Sequence, residues 1–126
     1  MEERKSEQPI QWGEFLKEIK NLSAEKICNK AFDQKLNLRE NNRYNEMFKF
    51  FNLAIEKDPQ YIRAVLNKGW VLGKLGCPEE AIKCFKEAIE IDREKAKEWL
   101  LHEVGLGTEL GGKETAFVES QFPNLA

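Results

Sequence analysis

The string most capable of chemistry in this 126-residue chain is Gly107-Thr108-Glu109-Leu110-Gly111-Gly112-Lys113. It has the G-x-x-x-x-G-K spacing with which a glycine-rich loop wraps phosphate oxygens in backbone N–H groups while a lysine neutralises them. Two features argue against that use. Position 114 is Glu where such a loop places its magnesium-binding Ser or Thr, and residues 99–106 read as helix where a strand should precede the loop. The segment therefore reads as a glycine-rich connector, with small-ligand or nucleotide binding over residues 105–113 as an alternative. His102 is the sole histidine, and no motif places a Ser or Cys beside it, so no acid–base pair can be written. The three cysteines lack a Cys-x-x-Cys pattern; Cys77 and Cys84 lie about 10 Å apart along an ideal helix axis, too far for a disulfide. Glu79, Glu80, Glu87, Glu90 and Glu94 suit i, i+4 pairing with Lys83 and Lys86 and form no ligand cluster. No catalytic residue, metal or cofactor is implied, and an enzyme is not expected.

Charge narrows the partners. With 22 acidic and 20 basic residues the net charge is −2, so no general attraction to a phosphate backbone or an anionic membrane is available. Nucleic acid and membrane are not expected partners. No apolar run approaches spanning length, and the opening MEERKSEQ resembles neither a secretory signal nor a transit peptide. Thiols without a disulfide framework suit a reducing compartment. A cytoplasmic location is the expectation.

The elements that would carry these residues are helices. Residues 1–8 read as a charged flexible tail. Pro9 can open a helix whose stripe is Ile10, Trp12, Phe15, Leu16 and Ile19, an extra helix over 9–22. Ser23 can cap a second helix running to about Glu40, apolar on two faces through Ile27, Ala31 and Leu38 on one side and Phe32 and Leu36 on another. Asn41-Asn42 breaks it, and a third helix follows over Arg43–Lys57, stopped at Asp58-Pro59 because the ring disfavours helical geometry at the preceding residue. Further helices are expected from Gln60 to Leu75, from Pro78 to Ile91, from Glu94 to about Leu106, and briefly over Thr115–Val118 before Pro123.

The chain also copies itself. A shift of 34 positions lays Phe51 on Phe85, Ala54 on Ala88, Ile55 on Ile89, Asp58 on Asp92 and Leu38 on Leu72. A third partial copy opens near Ala96, with Trp99 in register with Val65. That period belongs to solenoids of stacked helix pairs. Within Asp58–Arg93 the residues Gly69, Leu72, Gly76, Ala81, Phe85, Ala88 and Asp92 stand at the spacings of the tetratricopeptide repeat, a family that this segment resembles.

The resemblance implies an all-α fold: a short right-handed α-solenoid of antiparallel helix hairpins with an extra N-terminal helix. Residues 9–126 would form a single domain, with repeat one over 24–57, repeat two over 60–93 and a degenerate third repeat or cap over 94–126. Gly69 and Ala81 would mark the closest approach of two helices in a hairpin. Lys35 stands where the family expects Gly, and Met47 where it expects a small residue, so the first hairpin should be looser.

Function follows from the same resemblance. The first helices of such hairpins line a concave face, here Asn29, Phe32, Asp33, Leu36 and Arg39; Arg63, Leu66, Asn67, Trp70 and Lys74; and Lys97, Leu100, Leu101, Val104 and Thr108. Its apolar members predict a groove for a peptide or amphipathic helix of a partner protein, with Trp70 as the central anchor, or else a scaffold that self-associates with the groove filled by helix one. A helix-one or C-terminal segment that closes the core is the structural alternative. Chaperone-tail binding is not favoured, because only Asn67 and Lys97 match the family's carboxylate clamp, whose other positions hold Phe32, Leu36 and Leu101.

Overall fold

The computed structural model describes residues 10–106 and 110–123, the side chains of 103–106 excepted; the charged segment 1–8 lies outside them. The described residues form seven α-helices and no strand: α1 Trp12–Ile19, α2 Ala24–Lys30, α3 Tyr44–Lys57, α4 Ile62–Lys74, α5 Pro78–Ile91, α6 Arg93–Leu106 and α7 Gly112–Gln121. The chain is all-α, and α3 to α6 lie where the hydrophobic spacing predicts them. Two compact units divide it, Met1–Ala64 and Val65–Ala126, with the division inside α4.

The 34-residue period is written into the backbone. α3 and α5 start at Tyr44 and Pro78 and end at Lys57 and Ile91. Before each, one residue enters the left-handed region, Asn42 at φ 57° and Gly76 at φ 82°. The next amide in each turn, Arg43 N or Cys77 N, donates back to Leu38 O or Leu72 O at 2.9 Å, the six-residue hydrogen bond of a Schellman-type turn. Asn and Gly are the residue types that tolerate this conformation.

The far ends of α3 and α5 also match. Asp58 and Asp92 are both extended, at φ −148° and −158°. Their carboxylates accept hydrogen bonds from Gln60 N and Lys95 N at 3.0 and 3.1 Å. Asp58 Oδ1 closes an Asx turn two residues on, whereas Asp92 Oδ1 caps the first turn of α6 three residues on, so a helix end at this register position does not require a following proline.

Three elements differ from expectation: α1 spans only Trp12–Ile19 of the expected 9–22, Pro9 lying outside the described residues, and α2 and α7 depart further. α2 ends at Lys30, and residues 31–40 run as turns rather than as helix to Glu40. Polar side chains take the backbone there: Asp33 Oδ1 accepts from Lys35 N at 2.8 Å, Asn37 stands at φ 49°, and Asn41 Nδ2 donates to Asn37 O at 3.1 Å. The register supplies a second reason. A Cβ on Gly69 would lie 2.6 Å from Phe85 Cε1, so a continuous helix with Lys35 at the equivalent place could not approach Phe51 as closely. Ala31 and Leu38 still reach the interior.

α7 is longer than the four residues expected. Glu114 Oε2 accepts from Gly111 N at 3.0 Å, satisfying an amide before the first turn from the third helical position. That carboxylate is buried, and the side-chain-free Gly73 of α4 makes room for it: a Cβ there would come within 2.6 Å of Glu114 Oε2.

The core of the first unit is aromatic. Phe50 and Phe51 are fully buried, Trp12 and Phe15 lay their rings on Phe50 at 5.1 and 5.4 Å, and Phe32 tilts against Phe51 at 5.7 Å. Each buried ring contributes about 1.5–3 kcal/mol. In the second unit Phe85 fills the centre, with Trp99 beside it at 6.2 Å and Ala81, Ala88 and Ala96 fully buried around it. Gly69→Ala should destabilise by about 1–3 kcal/mol, since the added methyl meets both that ring and Ala81 O at 3.2 Å and outweighs the better helix propensity of alanine. Chemical denaturation measures it, and an unchanged midpoint would show that the ring can yield.

Candidate partner-binding surface

The concave-face residues divide by unit. In the first, Arg63 Nη1 donates to Asn29 Oδ1 at 2.9 Å, joining two exposed residues one repeat apart. Phe32, Asp33 and Leu36 are half-buried and Arg39 is exposed. In the second, Leu66, Asn67, Trp70 and Leu100 are buried, Trp70 at 5% exposure. Lys97 and Leu101 are half-buried, and the exposed Lys74 places its ammonium 5.9 Å from the Trp70 ring. The side chain of Val104 and the whole of Thr108 lie outside the described residues.

A bare apolar trough is therefore not what Leu66, Trp70 and Leu100 present. They serve as interior, because leaving a tryptophan and two leucines in water would forgo several kcal/mol of burial. No buried side-chain polar atom among the described residues lacks a hydrogen bond, and Asn67 fits the interior on those terms. Helix one does have a seat in the first unit, on Phe50 of α3.

Of the candidate chemical residues, Lys113 is engaged elsewhere. Gly107 to Glu109 lie outside the described residues, but the helix start that a phosphate loop would need is visible: the first turn of α7 already holds the Glu114 carboxylate, which would repel a phosphate there. Lys113 Nζ contacts Glu79 Oε1 at 3.0 Å, and that exposed pairing holds the Glu79 carboxyl below its usual range. His102 is exposed. No group of three or more His, Cys, Asp or Glu residues among those described could hold a metal ion.

All three cysteines are thiols, Cys28 and Cys84 buried and Cys77 half-buried. Burial pushes the Cys84 thiol from its ordinary 9.0 up to about 11, against the opposing pull of Lys68. At pH 8 almost none of it is thiolate, the form that reacts. Iodoacetamide should modify Cys77 well before Cys84, read by peptide mass mapping; equal rates would mean that Cys84 is open. Because the folded pKa lies above the unfolded one, this burial favours the fold fully below about pH 9, and the contribution is lost as pH rises through about 11.

Sequence reasoning missed one surface. α1 buries Ile19 and half-buries Trp12 and Phe15, but Leu16 stays 41% exposed beside the half-buried Leu53 and Phe48 of α3. The signal lay in two stripes. Residues 12, 15, 16 and 19 are one residue wider than the face α1 can bury, and Phe48 and Leu53 fall off the α3 stripe of Met47, Phe50, Phe51 and Ala54.

The helix pairs, their shared turn geometry and the glycine-mediated approach in the second unit define a class: antiparallel hairpins of tetratricopeptide type. The family model for the tetratricopeptide repeat matches residues 62–95, and the chain carries that repeat. A stretch of 59 residues, 47% of this chain, is 29% identical to a barley (Hordeum vulgare) protein described as "Probable UDP-N-acetylglucosamine--peptide N-acetylglucosaminyltransferase SPINDLY". The chain covers only 6% of that relative's length. No solved structure matches it.

Proposed function

We propose that this chain is a non-catalytic module that binds a protein partner. The observation that supports the reading most is the repeat at 62–95, a unit whose family mediates protein–protein interaction. The transferase activity named for the barley relative is not carried over, since the shared stretch is a small fraction of that protein.

From the concave-face register, the residues left to meet a peptide or amphipathic helix are Phe32, Leu36, Arg39 and Arg63 in the first unit, and Lys97 and Leu101 in the second. Thiols at Cys28, Cys77 and Cys84 support a reducing compartment, the cytoplasm, and no helix among the described residues is long and apolar enough to cross a membrane. Affinity capture with the full chain tests the reading. One or more proteins should co-purify and be lost with Leu101→Asp or Leu36→Asp, each checked for unchanged helicity. Failure to capture any protein that also survives a salt wash would count against it.

A further inference from the structure

Resting on the protein-binding reading, we propose that the α1–α3 surface of the first unit is a docking site for an acidic amphipathic helix. Leu16 stands between two hollows. One is floored by Leu16, Ile19, Ile27 and Leu53, and the other by Trp12, Leu16, Phe48 and Leu53. Leu16 is thus the exposed ridge of a continuous apolar strip made by two helices, a surface suited to the i, i+3, i+4, i+7 stripe of a third.

Charge selects the occupant. The rim of the first hollow carries Lys17, Lys20 and Lys57 against Glu56 alone. The second has Lys49 as its one charged lining residue, its ammonium 5.0 Å over the Trp12 ring, with Asn45 and Asn52 beside it. A third hollow, on the opposite flank of α1, balances Glu18 and Asp33 with Lys26 and Lys30. Among the described residues that line the two hollows, a chain of net charge −2 therefore sets four lysines against one glutamate, Glu56, around the exposed Leu16. The helical period explains the segregation: Lys20 follows Leu16 by one turn and Lys17 adjoins it, whereas Glu14 and Glu18 project about 160° or more from Leu16 around the axis. A partner helix with leucines on one face and carboxylates along its flanks would bury the ridge and satisfy the lysines; a basic helix would be repelled.

The test is fluorescence anisotropy of the full chain with a synthetic helix of about five turns, leucines on one face and glutamates on the flanks, beside the same peptide with lysine for every glutamate. The acidic peptide should bind saturably and at least tenfold more tightly than the basic one, weakening as salt rises. Leu16→Asp should abolish binding, and the double variant Lys17→Glu with Lys20→Glu should weaken it at least tenfold and raise affinity for the basic peptide. Leu16 is exposed, so both variants should keep the parent's circular dichroism. Equal affinity for the two peptides, no binding, or binding indifferent to Leu16→Asp would overturn the proposal. So would two other results: a Leu16-dependent dimer of the chain itself in sedimentation velocity, or co-sedimentation with phosphatidylserine vesicles in place of peptide binding. A protein captured by the chain but retained by Leu16→Asp would sink this surface and leave the protein-binding reading standing.

Discussion

Phe85→Ala is expected to lower the stability of the second unit by about 3–5 kcal/mol, a large share of the roughly 5–15 kcal/mol that natural domains have to lose. The ring is fully buried, faces Trp99 at 6.2 Å, and lies so close to the α4 backbone that only Gly69 can stand opposite it. Truncation therefore removes apolar area and also leaves a cavity that α4 cannot easily fill, because no side chain projects from position 69. Ala88→Arg should be harsher, forcing a charge into a fully buried position. Denaturant midpoints and thermal melts measure both. A Phe85→Ala melt within a few degrees of the parent would mean that the helix register of this hairpin has been misassigned.

Trp70→Ala is the second. Read from the repeat register alone, Trp70 should be an open anchor whose loss weakens partner binding and leaves helicity intact. At 5% exposure it should instead behave as core, costing about 3–5 kcal/mol and lowering the melting temperature by roughly 10–20 °C. The near-ultraviolet dichroism of the aromatic core should weaken as well. If the variant melts like the parent and loses only a partner, the anchor reading returns. Leu101→Asp gives the contrast, because the half-buried Leu101 should tolerate substitution with a smaller loss of stability.

The two outcomes rest on different kinds of information in the same residues. Hydrophobic spacing, the 34-residue self-copy and the turn residues Asn42, Gly76, Asp58 and Asp92 are local quantities. They determined α3 to α6, the paired turns and the buried Phe51, Phe85, Ala54 and Ala88, because a helix end is set by which backbone groups nearby side chains can satisfy. Even the missed capping of α7 was local, a Gly-x-x-Glu spacing at Gly111 and Glu114.

Exposure is not local. Leu16 and Trp70 are both apolar residues on amphipathic helices, and nothing in their own segments says that one stays 41% exposed while the other falls to 5%. That depends on what packs around them: Trp12 and Phe15 set α1 onto Phe50 and leave Leu16 outside, while Trp70 is covered. The break of α2 at Lys30 is an intermediate case. Its Asn and Asp residues were legible as helix competitors, but two apolar stripes outweighed them on paper, and only packing showed that Ala31 and Leu38 can both be buried from turns. The sequence by itself determined the helices and their period. Tertiary structure decided which apolar residues are interior and which remain for a partner, because burial is a property of surfaces that distant segments bring together.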